Sequence, residues 1–181
     1  MNYKEINRDY WDYNYFSPNV ESVVFRLKNR LLNKYCNFKK EKKFNILDFG
    51  CGQGSNLKYF EDFHKFNVYG VDVAPAMIKQ AKLKIKNKKK LKLISTNVSE
   101  NDDFFNIKFD LIIAIQSLYY LSNKDMEKRL KSFSNMLNDD GHVFFTMMGT
   151  KSSYFKHTNK IKNKNGLTKY ILNDERLNND K

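Results

Sequence analysis

Cysteine, proline and glycine are all scarce in this chain. Its 181 residues include two cysteines (Cys36 and Cys51), two prolines and seven glycines. Neither cysteine belongs to a Cys-x-x-Cys pair, which argues against both a disulfide framework and a zinc site. We therefore expect no bound metal, and the cysteine usage predicts a reducing, cytoplasmic compartment.

Long hydrophobic runs are also missing. No stretch reaches the roughly 18 consecutive apolar residues that a membrane-spanning helix needs, so we expect no membrane partner. The first residues, MNYKEINRDYWDYNYF, lack the apolar core of a signal peptide. Hydrophobic residues nevertheless make up 41% of the chain and aromatic residues 15%, which is enough for one domain with a buried core.

Acidic residues are outnumbered by basic ones. The chain has 33 Lys and Arg against 20 Asp and Glu, a net charge of +13. A basic balance can indicate a nucleic-acid partner. The excess is mostly lysine, in runs at 39–43 and 84–92 and scattered over 151–169. Together with abundant Asn, Ile and Phe, this is typical of an AT-rich coding sequence with solvated lysines. Nucleic acid stays a possible but not a favoured partner.

Short apolar segments alternate with stretches that suit helices. The apolar segments are residues 44–50, 68–73, 91–96, 109–117 and 142–148, and the helical stretches are 55–63, 76–87 and 124–137. Continuous apolar strands separated by helices predict a doubly wound, mostly parallel α/β sheet with helices on both faces. Residues 138–141, Asn-Asp-Asp-Gly, are predicted to form a turn before the last strand.

We expect one domain with three regions. Residues 1–43 are predicted to be a helical lid region, with an amphipathic stripe between Val20 and Leu32. Residues 44–150 form the predicted α/β core. Residues 151–181 are polar, with one apolar cluster at 170–172. Because a doubly wound sheet rarely leaves its edge strand exposed, we expect that the C-terminal strands are missing or truncated.

The strongest motif follows the first predicted strand. Three glycines, Gly50, Gly52 and Gly54, alternate in the segment Ile-Leu-Asp-Phe-Gly-Cys-Gly-Gln-Gly, and a predicted helix comes next. Glycines allow positive φ and close approach of a ligand to the backbone, and the helix offers free N–H groups. The spacing differs from Gly-x-Gly-x-x-Gly, which weakens a dinucleotide-binding interpretation.

This segment, with Asp48 before the glycines, resembles the first motif of class I S-adenosylmethionine-dependent methyltransferases. The resemblance covers about residues 10–150 and continues at Asp72, which ends the segment Val-Tyr-Gly-Val-Asp. It implies a Rossmann-like fold, S-adenosylmethionine as cofactor and S-adenosylhomocysteine as product. It also implies that Asp72 holds the ribose hydroxyls, for which a carboxylate is a suitable acceptor.

The resemblance implies a set of cofactor contacts. Met77 is expected at the adenine, Asn97 stands where the family often has an acidic residue, and Gln116 should lie near the methionine part. Asp48 is expected to organise the loop through backbone N–H bonds, and the thiol of Cys51 to be inert. The full set of expected cofactor residues is Asp48, Gly50, Cys51, Gly52, Gly54, Asp72, Val73, Met77, Asn97, Val98, Gln116 and, from the lid, Tyr10 and Trp11.

Candidate catalytic residues follow from the chemistry of methyl transfer. The reaction aligns acceptor, methyl group and sulfur, and a hydroxyl acceptor must also lose a proton to a base. Among the histidines, His157 is the best candidate because it follows the last strand. Tyr119 and Tyr120 stand where many relatives carry histidine. An acceptor oxygen that is already anionic would need no base.

The acceptor is predicted by exclusion. Asn-Pro-Pro-Tyr or Asp-Pro-Pro-Tyr motifs are absent after the fourth strand, and so is a Pro-Cys motif. These absences argue against methylation of DNA bases. We therefore expect a small-molecule acceptor, with a sugar-related or phosphate-type surface-glycan precursor as one possibility and O-methylation weakly favoured. Two alternatives stay open: an RNA methyltransferase that uses the lysine-rich surface, and a non-catalytic relative of the family. The oligomeric state is not predicted.

Overall fold

A computed structural model gives the fold. It describes residues 4, 5, 8, 19–32, 43–63, 65–149, 158–164 and 167–172, the last two ranges as backbone only. A five-stranded sheet has the order β3-β2-β1-β4-β5, and all its pairings are parallel. The predicted parallel α/β architecture is therefore confirmed.

The strands agree with the predicted apolar segments except at their ends. They are β1 (Phe44–Phe49), β2 (Phe66–Asp72), β3 (Leu91–Leu93), β4 (Phe109–Ala114) and β5 (Leu137–Phe145). β1 is the central strand, and it pairs with β2 on one side and β4 on the other. The chain order reverses at β1, so the crevice between the ends of β1 and β4 is the topological switch point, where doubly wound sheets bind ligands.

Helices cover both faces of this sheet. They are α1 (Ser22–Arg26, continued by π-helical turns at Leu27–Leu32), α2 (Ser55–Glu61), α3 (Pro75–Lys84) and α4 (Asn123–Met136). α3 begins at a proline, which tolerates the first helical turn because it has no N–H to leave unpaired. α4 begins after Ser122, whose hydroxyl accepts from the Asp125 N–H. Short 3₁₀ turns occupy Lys88–Lys90 and Leu118–Tyr120.

Alternate residues of each strand pack into two separate cores. Ile46 of β1 belongs to the core shared with α1, α2 and α3. Its neighbour Leu47 belongs to the core that contains Phe133 of α4. Because both faces of β1 are covered, its residues read as one continuous apolar run rather than as an alternating pattern.

Two expectations need correction. Residues 138–141 do not form a turn before the last strand but lie within β5. The pairing is irregular there: between Phe109↔Leu137 and Leu111↔His142, β4 advances two residues and β5 advances five. The C-terminal region, for which no strand was predicted, contains an antiparallel pair, β6 (Thr158–Lys164) with β7 (Leu167–Leu172). The glycine-poor, lysine-rich sequence of β6 gave no apolar pattern for a strand prediction.

The packing around β2 allows a direct test of this core. A Cβ atom at Gly70 would lie 2.5 Å from Leu57 Cδ1 and 2.9 Å from Cys51 Sγ. We expect Gly70→Ala to lower the free energy of unfolding by about 1–3 kcal/mol, because the buried neighbours must move. Gly149→Ala is the matched control, since a Cβ there meets nothing within 4 Å. Equal urea midpoints for both variants would contradict the described packing.

Candidate functional site

The candidate site lies where three parallel strands end at the same edge of the sheet. The glycine loop follows β1, Asp72 ends β2, and Gln116 and Ser117 follow β4. The sheet order brings these three ends side by side, with β1 in the middle. The sheet topology therefore brings together the segments that carry the separated sequence motifs.

The first glycine of the loop is fixed by close approach to the chain after β4. Gly50 has φ +74°, and a Cβ there would lie 2.6 Å from Ser117 Cβ. The Ser117 hydroxyl donates to the Phe49 carbonyl at 2.8 Å. Glycine is therefore required for both backbone conformation and space, and the ends of β1 and β4 are held together.

The second glycine faces open space. Gly52 has φ +52°, and a Cβ built on it meets no atom within 4 Å. Steric crowding by the rest of the protein is therefore not the reason why residue 52 lacks a side chain. A glycine in the left-handed conformation beside open space fits a loop whose backbone comes close to a ligand.

Asp72 joins the glycine loop to the turn after β2. Its Oδ2 accepts from the Gly52 N–H at 2.8 Å, and its Oδ1 accepts from the Ala74 N–H at 2.9 Å. The side chain is buried, with 8% of its surface exposed. Hydrogen bonds to an ionised carboxylate are stronger than bonds between neutral groups, so this contact fixes the loop.

Asp48, in contrast, has no such bonds. It is buried, and neither of its carboxyl oxygens has a hydrogen-bond partner. Burial, together with the nearby charge of Asp72, raises the pKa of Asp48 to about 8. The expectation that Asp48 organises the loop through backbone N–H groups is therefore wrong. Asp72 is the residue whose carboxylate accepts from the loop backbone. Sequence reasoning could not tell which of the two residues bonds to the loop, because both carboxyl groups lie at the ends of neighbouring strands.

Two other predicted cofactor residues are largely covered by protein. Cys51 is buried, and burial, followed by the charges of Asp72 and Asp48, raises the pKa of its thiol well above the usual value. A protonated, buried thiol fits the expectation that Cys51 is inert. Met77, in the first turn of α3, is 2% exposed, so it packs in the protein. Val73 is half-buried between β2 and α3.

Gln116 adopts an unusual backbone conformation beside the glycine loop. Its φ is +52°, in the left-handed region that few residues other than glycine occupy. Its N–H donates to Thr146 Oγ1 at 2.8 Å, and its side-chain amide reaches Glu21 at 3.5 Å. Thr146 and Glu21 were missed by sequence reasoning, because neither lies in a recognisable motif. Such strain is found most often at functional sites.

The segment after β3 runs beside the end of β2. The Ile94 N–H donates to the Asp72 carbonyl at 2.9 Å, which continues the pairing of the two strands. Beyond it, Asn97 is exposed and its N–H donates to Ser95 Oγ, while Val98 is half-buried. Both predicted residues therefore lie in the segment that begins at Ile94, and their contact with the cofactor stays a prediction.

The catalytic candidates are only partly described. Tyr119 and Tyr120 form the 3₁₀ turn between β4 and α4, are half-buried, and have ring centroids 4.6 Å apart. The turn follows Gln116 and Ser117 directly. His157, Tyr10 and Trp11 lie outside the described residues.

In the described ranges, no group of three or more His, Cys, Asp or Glu side chains is placed to hold a metal ion. The helices that the structure describes are too short or too polar to cross a membrane.

Comparison with known proteins agrees with this geometry. Residues 16–176 match the family described as "Methyltransferase domain", which is most of the chain. The chain is 32% identical over 124 residues to malonyl-acyl-carrier-protein O-methyltransferase 2 of Ilyobacter polytropus, covering 67% of this chain and 46% of that protein. It is 33% identical over 107 residues to aklanonic acid methyltransferase DauC of Streptomyces, covering 56% and 46%. The chain thus spans less than half the length of these curated relatives.

Solved structures share the fold. An S-adenosylmethionine-dependent methyltransferase from Clostridium acetobutylicum superposes with a TM-score of 0.59 at 22% identity. The superposition covers 88% of this chain and 63% of that one. At this identity the likeness concerns the fold alone.

The pKa of Asp48 leads to a pH-dependent prediction. Because its folded-state pKa is about 8 and its ordinary value is 3.8, ionisation disfavours the folded state increasingly between these two values. We expect Asp48→Asn to raise the Tm on the order of 5 °C at about pH 9, and by less at about pH 5. Thermal unfolding of both proteins at both values measures this. A difference independent of pH would show that Asp48 is not a buried, unpaired carboxyl group.

Proposed function

The chain belongs to the class I family of S-adenosylmethionine-dependent methyltransferases, and we propose that it transfers a methyl group from this cofactor to an oxygen of a small-molecule acceptor. The observation that carries the proposal is the pair of buried carboxylates, Asp48 and Asp72, beside a glycine loop with open space at Gly52. Family membership supports the cofactor, and the geometry of the loop supports its position.

The residues present fit the cofactor. Each carboxylate oxygen of Asp72 accepts one backbone N–H, and a carboxylate oxygen can accept more than one hydrogen bond, so Asp72 is a suitable acceptor for ribose hydroxyls. Gly52, with no neighbour where its side chain would be, allows a ligand to approach the loop backbone. In this proposal Asp72 holds the ribose while it keeps the loop in place.

Asp48 supplies the charge complement. A buried carboxyl group without hydrogen bonds gains most from a positively charged or hydrogen-bond-donating ligand. The cofactor carries an ammonium and a sulfonium group, and its sulfonium supplies the methyl group with a neutral thioether as leaving group. We propose that Asp48 faces the positively charged methionine end of the cofactor.

The protein's main contribution is orientation. Methyl transfer is an in-line displacement, which is accelerated chiefly by fixing the acceptor and the methyl group in one geometry. Ser117 ties the end of β4 to Phe49, and Thr146 holds the Gln116 backbone. We propose that these bonds fix the loop on the acceptor side and that Gln116 lies near the methionine part.

The class of acceptor that the site favours is one whose oxygen is already anionic. The segments 50–54, 73–77 and 115–120 contain no histidine. The names of two relatives point to a carrier-linked malonyl group and to aklanonic acid as their acceptors. A carboxylate or phosphate-type oxygen needs no base, so a general base would be required only for a hydroxyl acceptor. A surface-glycan precursor stays one candidate within the phosphate-type class.

The RNA alternative requires a free basic surface. Within the lysine run 84–92, three side chains donate hydrogen bonds to other residues of the chain: Lys84 to Ser55, Lys90 to Asn67, and Lys92 to the Phe104 carbonyl. These contacts leave fewer lysines for phosphates, so nucleic acid remains the less favoured partner. A non-catalytic relative would have less need for the open space at Gly52.

The N-terminal lid is part of this proposal. Lys4 pairs with Asp125 in the first turn of α4 at 3.0 Å, so at least this residue lies near the acceptor-side loop. Tyr10 and Trp11 are proposed to contact the cofactor from the lid. The division into a lid (1–43), a core (44–150) and a C-terminal segment (151–181) stays a prediction, as does the cytoplasmic location.

Calorimetric titration with S-adenosylhomocysteine tests the cofactor site. We expect micromolar binding by the wild-type chain and a loss of about 100-fold or more for Asp72→Ala, because both ribose contacts and the loop bridge are removed. Asp139→Ala, at an exposed position of β5, is the matched control and should bind normally. No binding by the folded wild-type chain would refute the proposed cofactor site in this chain.

The rate of methyl transfer to a carboxylate acceptor tests the three catalytic candidates separately. We expect Tyr119→Phe and Tyr120→Phe to reduce kcat by no more than about tenfold, and His157→Ala to leave it within twofold, because an anionic oxygen needs no proton removal. Radiolabelled methyl transfer measures the rates. A fall of about 1,000-fold for His157→Ala would show general-base catalysis and a hydroxyl-type acceptor.

A further inference from the structure

One buried cation lies outside the site described above. Arg129 of α4 is 1% exposed, and its guanidinium carbon lies 4.9 Å from the ring centre of Phe49 and 5.0 Å from that of Phe104. Phe49 is the last residue of β1, directly before the glycine loop. Arginine stacks on aromatic faces in this way because its charge is delocalised over a plane.

The guanidinium is connected to the segment after β3. Arg129 Nη2 lies 2.9 Å from Asp102 Oδ2, and the same carboxylate oxygen accepts from the Ser99 N–H at 3.0 Å. Arg129 Nη1 also donates to Ser132 Oγ, which donates to the Asp102 carbonyl at 3.0 Å. A continuous chain of polar contacts therefore leads from the interior of α4 to the residue next to Val98.

Nearer the solvent, the same two elements are joined again. Lys131 pairs with Glu100 at 3.5 Å, with side chains 58% and 51% exposed. Such exposed pairs contribute little because water screens them. The Arg129–Asp102 pair is largely shielded from water, so it is the contact that fixes the position of the segment.

This segment starts beside the candidate site. It starts at Ile94, whose N–H donates to the Asp72 carbonyl, and it contains Asn97 and Val98 before it reaches Asp102. If Asp72 holds the ribose, as proposed above, the strand paired with β2 and the segment after it are the next part of the sheet edge beyond the ribose.

We propose that Arg129 is a positioning residue for recognition of the cofactor's base. It touches no ligand; it holds residues 97–99 through Asp102 and the end of β1 through Phe49, so that the two sides of the site keep a fixed separation. The proposal rests on the proposed cofactor site and extends it to a residue on a helix that does not line it.

Burial cost argues for this function over simple packing. A buried ion pair is often no more stabilising than apolar residues of similar volume, and Arg129 Nε has no hydrogen-bond partner. The contacts are, however, directional: the guanidinium plane and two N–H groups select one placement of Asp102 and Phe104. An apolar side chain could fill the volume without selecting that placement.

The test compares two ligands by calorimetry: S-adenosylhomocysteine and its inosine analogue, in which the adenine amino group is replaced by oxygen. We expect the wild-type chain to prefer the adenine ligand by about tenfold. In Arg129→Met the preference should fall to about twofold or less, because residues 97–99 are no longer held. General destabilisation weakens both ligands equally, so the ratio reports positioning.

Controls make every outcome decisive. Lys131→Met removes the exposed pair between the same elements and should keep the wild-type ratio. Asp102→Asn should also lower the ratio of the two affinities. Because the side chain of Asp102 is 27% exposed, this variant serves as the test if Arg129→Met does not fold. The proposal would be overturned if folded Arg129→Met and Asp102→Asn kept the wild-type ratio of the two affinities. It would also be overturned if the wild-type chain bound the two ligands equally well. Absence of binding by the wild-type chain would instead refute the cofactor site itself.

Discussion

The arrangement of the site depends on one carboxylate that joins two loops. Asp72 ends β2, yet its oxygens accept from Gly52 in the loop after β1 and from Ala74 in its own turn. Hydrogen bonds to a charged group are worth about 1.5–3 kcal/mol each. The bridge therefore sets the distance between the two loops, and the open space at Gly52 lies directly beside it.

A second constraint is electrostatic. Asp48 is buried close enough to Asp72 that the charge of Asp72 contributes to its raised pKa. A chain with a net charge of +13 thus places two acidic groups close together at the carboxyl ends of β1 and β2, and the raised pKa of Asp48 keeps that group mostly neutral near pH 7. Like charges in a buried site are costly unless a cation or a proton compensates them. This pair of acidic groups favours a positively charged ligand, whereas the overall basic charge of the chain does not bear on the site.

The sequence was informative where chemistry depends on spacing. The alternating glycines, Asp48 and Asp72 could be placed at one sheet edge because apolar strands alternate with helices, and the structure confirms this arrangement of strands. It could not show which carboxylate bonds to the loop, because that depends on side-chain directions at the ends of two adjacent strands. The roles of Thr146 and Arg129 were equally hidden, since each acts through a contact distant in sequence. The prediction of a turn at residues 138–141 was wrong because a turn-like composition also suits an irregular strand.

A crystal structure of the chain with S-adenosylhomocysteine tests the central claim most directly. The account predicts that the ligand lies along residues 50–54, with both ribose hydroxyls within about 3 Å of the Asp72 carboxylate and the amino acid end near Asp48. The Asp72 bridge to Gly52 should persist in that complex. A ligand bound elsewhere on the sheet, or with its ribose away from Asp72, would contradict the account.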